Sequence, residues 1–432
     1  MNDTIFALAT PIGRSAVATI RISGLKALET VNKISLNMPQ EHATAKLNTI
    51  LLNNKEHIDQ TITTIFKSPM SYTGEDVVEI STHGGSAVIN KIIGILGRCN
   101  NLRLAEPGEF TRRAFENNKL DLTQVEAISD LVNSETEAQR KQAVNQLSGL
   151  FSNRIKKWSD RIIKNLANIE AAIDFSDQDL PKDLIIKVKE QNKNIINEIE
   201  SYLGDNKIGE KIRSGFIVAI LGKTNVGKSS FINKIAQRDL AIVTDEPGTT
   251  RDAIELFADF KGLPVKIFDT AGIRKTKNRV EYLGVEKSYL LSDIADINLV
   301  FLENEDDINK FKNFNNKIFV QSKSDINEKI YSNNNVIYYI SSKTGEGIDK
   351  LIDKIYLKLL PNSKIDTSVS RERHRIILKN TICYLKKSID LKNIDVIAED
   401  VRLALNEISK ISGKKDVEDI LDIIFNDFCI GK

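Results

Sequence analysis

Gly222-Lys223-Thr224-Asn225-Val226-Gly227-Lys228-Ser229 is the most informative motif of the chain. It follows the apolar run 216–221 and opens a helix-like segment, 230–235. A glycine, four residues and then Gly-Lys-Ser between a strand and a helix form a phosphate-binding pattern. Backbone amides of such a loop converge on phosphates at a helix N-terminus, where partial positive charge accumulates. We therefore predict a bound nucleoside triphosphate, with Lys228 on its β- and γ-phosphates and Ser229 on Mg²⁺.

Two downstream strings complete this pattern in the expected order. Asp269-Thr270-Ala271-Gly272 follows the apolar run 265–268, so its carboxylate is predicted to complete the Mg²⁺ shell and the Gly272 amide to reach the γ-phosphate. Gly248-Thr249-Thr250-Arg251-Asp252 lies between the two and supplies a second hydroxyl ligand for Mg²⁺, Thr250. Three strings in this order are stronger evidence than any one of them alone.

The base is predicted to be guanine. Ser322-Lys323-Ser324-Asp325 follows the run 317–320, and Ser342 follows the run 336–340. The Asp325 carboxylate accepts hydrogen bonds from the N1 and N2 donors of guanine, a pattern that adenine does not offer. Lys323 would pack along the base, and the Ser342 amide would reach O6. The usual motif begins with Asn, so Ser322 removes an amide that braces the loop, and we expect weaker nucleotide binding.

The group that orients the attacking water is left open by spacing alone. Many GTPases use a Gln directly after the Asp-x-x-Gly glycine. That position is Ile273 here, which has no hydrogen-bonding group. Glu281 is one candidate in the polar segment that follows, and Arg274 and Arg279 are candidates for arginine fingers.

The wider chain predicts a multidomain α+β and α/β protein. At roughly 150 residues per domain, 432 residues suggest about three domains. Alternating apolar runs and turns predict an N-terminal α+β domain with an antiparallel sheet over residues 1–118. Helical periodicity, with Trp158 in its apolar stripe, predicts a helical domain in two parts, 119–210 and 363–432. Between them, strands that alternate with helical segments predict an inserted, doubly wound, mostly parallel α/β domain at 211–362.

Composition excludes several classes of function. Lys plus Arg total 61 against 59 Asp plus Glu, so no bulk positive field points to nucleic acid. No apolar run approaches the roughly 18 residues that span a bilayer, and the start lacks a secretory signal layout. Cys99, Cys383 and Cys429 are too few for a disulfide framework or a zinc site. We expect a cytoplasmic protein.

Several strings together give the chain a resemblance to one family. It resembles the MnmE (TrmE) tRNA modification GTPases of the TrmE-Era-EngA-YihA-Septin-like superfamily. Beside the nucleotide motifs, the matching strings are residues 9–14 (ATPIGR), 21–24 (RISG), 71–79 (SYTGEDVVE), 83–85 (HGG), 107–111 (PGEFT), 119–122 (KLDL) and 428–432 (FCIGK). These strings run from the first strand to the last residue, whereas neighbouring families share only the central α/β domain.

The resemblance implies a potassium-dependent GTPase (a hydrolase acting on acid anhydrides) in tRNA modification. With a flavoprotein partner, MnmG, which alone carries FAD, it would add an aminomethyl or carboxymethylaminomethyl group at C5 of the wobble uridine (U34). The one-carbon unit would come from a bound 5-formyl- or methylene-tetrahydrofolate. The resemblance also implies an N-terminal domain that binds folate and dimerises, pairing of GTPase domains, and a heterotetramer of two plus two subunits.

Particular residues follow from this resemblance. The potassium ligands would be the Asn225 side chain and the carbonyls of Thr244, Glu246 and Thr249, since carbonyl ligands suit this ion. Glu281 would orient the attacking water. Arg21, Glu79, Lys119 and Lys432 would bind folate. The full set of expected GTP contacts is Asn225, Val226, Gly227, Lys228, Ser229, Ser230, Thr244, Thr249, Thr250, Asp269, Thr270, Ala271, Gly272, Lys323, Asp325 and Ser342.

Two other interpretations share the central motifs. A GTP-dependent ribosome-assembly factor also lacks the Gln, but it needs a basic RNA-binding appendage, and no flanking segment is strongly basic. A nucleotide-gated scaffold, in which hydrolysis times the release of a partner, is partly compatible with the first interpretation. The sequence leaves open which tRNAs are used, which final uridine forms, how hydrolysis is coupled to it, and the role of Cys429.

Overall fold

The computed structural model describes residues 3–52, 56–174, 183–205, 207–238, 240, 255–269, 291–332, 335–360, 369–413, 424–425, 428 and 431. Its contacts divide the chain into two units. The first comprises Met1–Ser129, Ser152–Ser159 and Leu405–Lys432, and the second comprises Asp130–Phe151 and Asp160–Ala404. The three boundaries between the segments predicted above stay predictions.

Six strands of the first unit form one sheet in the order β3-β4-β5-β2-β1-β6. They are β1 (Thr4–Leu8), β2 (Val17–Ser23), β3 (Thr44–Leu52), β4 (Glu56–Phe66), β5 (Val77–His83) and β6 (Leu102–Leu104). The predicted antiparallel sheet is confirmed except at one edge, where β1 and β6 run parallel. A helix, α2 (Ser86–Leu96), lies between β5 and β6, and such a crossover allows parallel pairing.

The core of this unit lies between the sheet and two helices, α1 (Ala27–Lys33) and α2. Alternate residues of β2 and β5, such as Ile20, Ile22 and Ile80, are fully buried, as the period of two in a half-buried strand requires. Ile92 of α2 packs into the same cluster. Each buried side chain of this size contributes about 1.5–3 kcal/mol to stability.

A second sheet, in the other unit, has the order β12-β11-β10-β7-β9-β8. Its strands are β7 (Phe216–Leu221), β8 (Glu255–Phe260), β9 (Leu263–Asp269), β10 (Ile297–Phe301), β11 (Lys317–Gln321) and β12 (Ile337–Tyr339). All pairs are parallel except β8 with β9, which confirms the doubly wound, mostly parallel sheet. From β7 the order runs to β9 on one side and to β10 on the other. The carboxyl end of β7 is therefore a topological switch point, where ligands bind in such sheets.

Strand β8 is absent from the sequence prediction. It forms a hairpin with β9 through a two-residue turn, in which Lys261 and Gly262 have φ of 55° and 87°. Positive φ at both central residues matches the right-handed twist of a hairpin. Strand β8 begins with polar Glu255 and is interrupted by Asp259. It therefore lacks the continuous hydrophobicity by which the parallel strands are recognised in the sequence.

The other helices are α3 (Glu109–Glu116), α4 (Leu122–Val132), α5 (Glu137–Leu147), α6 (Leu150–Asp174), α7 (Leu184–Leu203), α8 (Ile208–Ser214), α9 (Lys228–Ala236), α10 (Asp306–Lys310), α11 (Ile348–Leu359), α12 (Glu372–Asp390) and α13 (Ile394–Ser409). The predicted apolar stripe, including Trp158, is confirmed on α6, where that tryptophan is buried. Within the described ranges, every helix is too short or too polar to cross a bilayer.

Helix α5 binds the chain where it enters the second sheet. Its first-turn amide at Ala138 donates to the carbonyl of Gly262 over 3.0 Å, in the β8–β9 turn. The Gln142 side chain donates to the carbonyl of Gly209 in α8, also over 3.0 Å. These contacts lie at the edge of the sheet where β7 and β9 begin. The opposite edge, where the parallel strands end, therefore remains available for the loops that follow these strands.

A buried charged cluster ties the first unit together. The Arg113 side chain is 2 % exposed, and its Nη2 lies 3.0 Å from Glu109 Oε1 and 3.1 Å from Asp3 Oδ1. Arg103 approaches the same glutamate at 2.6 Å. Burial opposes ionisation of Glu109, but hydrogen bonds from Arg103, a backbone amide and Arg113 outweigh it and lower its pKa below the usual 4.5. Glu109 is therefore held as a carboxylate.

We expect Arg113→Met to destabilise this unit by about 3–5 kcal/mol, because it leaves carboxylates buried with fewer partners. Since Glu109 has a lower pKa folded than unfolded, its stabilisation is complete above about pH 4.5 and is lost as the pH falls through the folded pKa. The difference between wild type and variant should accordingly be largest near pH 7 and shrink in acid. Trp158, the single tryptophan, lies in the first unit, so its fluorescence during urea unfolding reports the effect.

Lys33→Met is the matched control, since it removes an exposed pair with Glu29 and should barely move the transition. An equal shift for both variants, or a deficit at Arg113→Met that does not depend on pH, would contradict this account of the cluster.

Candidate functional site

The phosphate loop connects β7 to α9 through backbone that favours glycine. Gly222 has φ of 134° and Gly227 has φ of 101°. A Cβ on Gly222 would lie 2.5 Å from the carbonyl oxygen of Phe301, and one on Gly227 would lie 2.3 Å from Ser322 Oγ. Both contacts are too short for any side chain, so the two glycines of the motif are required for conformation and for space.

Lys228 and Ser229 begin α9 inside this loop. Lys228 is 4 % exposed, and its Nζ donates to the carbonyls of Gly222, over 2.7 Å, and of Lys223. Ser229 Oγ donates to Asp269 Oδ2 over 3.3 Å, and Asp269 ends β9 at 2 % exposure. A hydroxyl and a carboxylate are thus adjacent at a helix N-terminus, and such hard oxygen ligands are those that Mg²⁺ prefers.

Two side chains of the base-reading loop hold the phosphate loop. Ser322 is 4 % exposed, and its hydroxyl donates to the carbonyl of Val226. Lys323 Nζ donates to the carbonyl of Asn225 over 3.0 Å. The bracing that we expected to lose with the usual asparagine is therefore supplied by the shorter serine hydroxyl. The effect of Ser322 on nucleotide affinity stays a prediction.

This bracing has a consequence for the loop amides. The carbonyl and the N–H of one planar trans peptide point in opposite directions. When the carbonyls of Asn225 and Val226 are held toward the base-reading loop, the N–H groups of Val226 and Gly227 point away from it. Successive amides turned to one side form an anion-binding nest.

The base-reading residues lie at the carboxyl ends of β11 and β12. The amide of Ser324 donates to the carbonyl of Ile340 over 3.1 Å, which joins the two loops. A hydrogen bond from buried Ser341 is the main cause that lowers the pKa of Asp325, so this exposed side chain is a carboxylate at neutral pH. Ser342 follows on the same loop and is half-buried. The structure thus brings the predicted base contacts to the edge that carries the phosphate loop.

Several predicted site residues lie outside the described residues. They are Thr244, Glu246, Thr249, Thr250, Thr270, Ala271, Gly272, Glu281 and Lys432, and the alternatives Ile273, Arg274 and Arg279 and the thiol of Cys429 lie there too. Their roles stay predictions.

In the first unit, Arg21 and Glu79 are directly opposite on neighbouring strands β2 and β5. Arg21 Nε donates to Glu79 Oε1 over 2.8 Å, and Nη2 lies 2.8 Å from the same oxygen. Lys119 Nζ donates to the carbonyl of Pro69 over 2.9 Å. Two of the predicted folate residues therefore form a pair, and the third binds a nearby loop. Tyr72 and Phe110, whose rings flank Arg21, were missed by sequence reasoning, although both lie in quoted strings.

The fold and the loops at the switch point define a P-loop nucleotide-binding domain of the GTPase type. Two family models match the chain. "GTP-binding protein TrmE N-terminus" matches residues 4–119, and "MnmE helical domain" matches residues 122–429.

Relatives match along their whole length. The chain is 39 % identical over 450 residues to the tRNA modification GTPase MnmE of Rhodopseudomonas palustris, covering 100 % of this chain and 99 % of the relative. It is 38 % identical over 454 residues to that of Parvibaculum lavamentivorans, with 100 % of both covered. For that of Ehrlichia chaffeensis the identity is 40 % over 441 residues, covering 99 % and 100 %. The chain belongs to the MnmE family, also called TrmE, and is a GTPase of that family.

Among solved structures, the chain is similar to that of Era in complex with MgGDPNP and nucleotides 1506–1542 of 16S ribosomal RNA. The identity is 24 %, the TM-score is 0.27, and the match covers 41 % of this chain and 68 % of that one. A likeness of this size is too weak to support a conclusion.

We expect Ser322→Ala to weaken GDP binding by about 5- to 30-fold, because it leaves the buried carbonyl of Val226 without its donor. Titration of a fluorescent GDP into each variant measures this. Ser324→Ala is the matched control, since the Ser324 hydroxyl is buried on the same loop but has no hydrogen-bond partner among the described residues. Equal affinities for the Ser322 variant and wild type would refute the bracing role.

Proposed function

We propose that the chain is a potassium-dependent GTPase that modifies tRNA together with a flavoprotein partner, MnmG. The reaction would add an aminomethyl or carboxymethylaminomethyl group at C5 of the wobble uridine of certain tRNAs, using a tetrahydrofolate one-carbon unit. One observation carries the proposal: relatives named tRNA modification GTPases match this chain at 38–40 % identity over 99–100 % of their length. The matched length spans both the nucleotide loops and the N-terminal strands that carry Arg21 and Glu79.

The nucleotide residues would act through position and charge. Lys228, whose ammonium lies against loop carbonyls, would exchange one of them for β- and γ-phosphate oxygens. Ser229, with Asp269 beside it and Thr250 from the segment outside the described residues, would hold Mg²⁺, which offsets phosphate charge when bound. Asp325 would select guanine, because its carboxylate accepts from two neighbouring donors on the base.

The potassium site would centre on Asn225. This residue is exposed at the turn of the phosphate loop with φ of 66°, and its side-chain amide has no hydrogen-bond partner in the part of the chain that the structure describes. An amide oxygen suits a large monovalent cation. The carbonyls of Thr244, Glu246 and Thr249 would complete the shell, and Glu281 would orient the attacking water. A cation at this point offsets the charge that an arginine finger would otherwise meet.

The N-terminal site would take the folate. Its residues fit such a ligand, because a carboxylate such as Glu79 can accept from the N–H donors of a pterin, and Lys119 and Lys432 carry charge that suits glutamate carboxylates. The tetrahydrofolate would supply the one-carbon unit. Arg21 belongs to the same site, with a role that the next subsection specifies.

The proposal extends to assembly and location. Two copies would pair through the N-terminal domain and, with nucleotide bound, through the GTPase domains, and two MnmG subunits would complete a heterotetramer. FAD would belong to the partner only. The substrate, tRNA, implies a cytoplasmic site of action.

We expect GTP hydrolysis by the purified chain to be about 10- to 100-fold faster in potassium than in sodium at equal ionic strength, because a cation beside the phosphates stabilises developing charge. Asn225→Ala should lose this difference. Phosphate release under saturating GTP in each salt measures it.

Thr224→Ala is the control, since this exposed neighbour on the loop should keep the potassium dependence. Glu281→Ala should lose turnover in potassium while still binding GTP. Equal rates of GTP hydrolysis in both salts for wild type would contradict the potassium site. A wild-type rate of hydrolysis for Glu281→Ala would show that this glutamate does not orient the attacking water.

Deleting the gene should remove the C5 substituent from the affected wobble uridines. Mass analysis of nucleosides from tRNA would then show an unsubstituted C5, and the wild-type chain should restore the group while Asp325→Ala should not. Unchanged wobble nucleosides in the deletion strain would disprove the proposed substrate without touching the GTPase assignment.

A further inference from the structure

The surroundings of Arg21 are more specific than a surface charge requires. Its guanidinium carbon lies 5.5 Å from the centroid of the Tyr72 ring and 5.7 Å from that of Phe110. A cation within about 6 Å of an aromatic face is attracted by the electron density of the ring. Phe110 is fully buried and Tyr72 is about one third exposed. Two rings thus hold one guanidinium, and we name Tyr72, Arg21 and Phe110 the aromatic clamp.

The remaining contacts of Arg21 fix its orientation in the plane. Nε and Nη2 both approach Glu79 Oε1 at 2.8 Å, and Nη1 donates to the carbonyl of Gly431 over 3.4 Å. Gly431 has φ of 102°, and a Cβ there would lie 2.3 Å from the carbonyl of Leu8, so the backbone passes close to β1. Each edge of the guanidinium therefore has a partner that belongs to this chain.

The loop that carries Tyr72 is itself held rigidly. The Tyr72 hydroxyl forms a hydrogen bond of 2.8 Å with Thr111 Oγ1, and Asn117 donates to the carbonyl of Thr73 over 2.7 Å. Lys119 holds Pro69 on the same loop. Burial is the main cause that raises the pKa of Tyr72, so the phenol is neutral near pH 7. The ring position follows from α3 and the residues after it.

This geometry gives Arg21 and Glu79 different roles. Oε1 of Glu79 already accepts a hydrogen bond from Nε of Arg21 and forms an ion pair with its Nη2, whereas Oε2 has no partner among the described residues. The Glu79 side chain is 28 % exposed, so a ligand can approach it. A guanidinium whose charge is met by Glu79, and whose carbon lies 5.5 Å and 5.7 Å from two aromatic ring centroids, is a poor receptor for a second carboxylate. A held carboxylate with one open oxygen is a good acceptor for N–H donors.

We propose that Arg21 is a positioning residue and not a receptor for the glutamate tail of the ligand. The aromatic clamp orients Glu79 so that its Oε2 accepts hydrogen bonds from the N–H donors of a pterin. Tyr72 is the clamp residue that fixes this orientation. The inference rests on the proposed folate role of this site.

The test compares two ligands that differ only in the tail, 5-formyltetrahydrofolate and 5-formyltetrahydropteroate, which lacks the glutamate. Calorimetric titration of the full chain gives the dissociation constant of each. Tyr72→Leu should weaken both ligands by about 3- to 10-fold, because the cation–π contact is lost. Tyr72→Phe, the matched control, keeps the ring and should stay within threefold of wild type.

Arg21→Lys is the decisive variant. If Arg21 positions Glu79, each of the variants Arg21→Lys and Tyr72→Leu weakens the binding of the two ligands by equal factors. Within each variant, the ratio of the dissociation constants of 5-formyltetrahydropteroate and 5-formyltetrahydrofolate then equals the wild-type ratio. A ratio that is lower in Arg21→Lys than in wild type would show that Arg21 contributes to binding the tail and would overturn the proposal. Unchanged binding of both ligands by Tyr72→Leu would overturn it as well.

Two further readouts separate a failed inference from other failures. If wild type binds neither ligand, the proposed folate binding is wrong, and so is the role given to Arg21. The assignment of the nucleotide site does not depend on this result. Trp158 fluorescence in urea shows whether a variant still folds in the first unit. Should Tyr72→Leu unfold, the ratio measured with Arg21→Lys still decides the question.

Discussion

The direction of a few peptide groups at the end of β7 is the constraint on which the nucleotide site depends. Phosphates would be bound there by backbone amides, and the N–H of a trans peptide points away from the carbonyl of the same peptide. Two glycines with positive φ let the chain turn, and a serine and a lysine from the neighbouring loop hold two of the carbonyls. The phosphate loop and the base-reading loop are therefore one hydrogen-bonded assembly. A nucleotide that binds across both meets donors that are already oriented, which lowers the entropic cost of binding.

The fold places this assembly and leaves it accessible. Because β7, β9, β10, β11 and β12 are parallel, their carboxyl ends meet at one edge of the sheet, and Asp269 and Asp325 arrive there from separate strands or the loops that follow them. Helix α5 contacts the opposite edge, through the β8–β9 turn and α8. In the first unit, the important features are two groups of charged side chains. Its cluster around Arg113 keeps carboxylates ionised inside the protein, and its Arg21–Glu79 pair presents one open carboxylate oxygen.

Much of this could be predicted from the sequence, and the exceptions have physical causes. Strands such as 216–221 are continuous apolar runs because they are buried on both faces, so they are easy to recognise. Strand β8 was missed because it is an edge strand in a hairpin and needs fewer apolar residues. Ser322 is predicted from the motif to remove a brace, because the motif compares residue types, whereas only the folded chain shows that the serine hydroxyl reaches the carbonyl of Val226. The clamp on Arg21 joins residues 21, 72 and 110, and only the folded chain shows that their rings and charge meet.

We infer that a guanine nucleotide binds across these two loops. Competition between fluorescent GDP and unlabelled nucleotides, in Mg²⁺ and potassium, tests this inference. We expect GDP to displace the probe at micromolar concentration or below, and ADP to fail to displace it even at a thousandfold excess over GDP, roughly 4 kcal/mol of discrimination. Displacement by ADP at concentrations similar to those of GDP would contradict it, because the carboxylate of Asp325 would then not be reading the base.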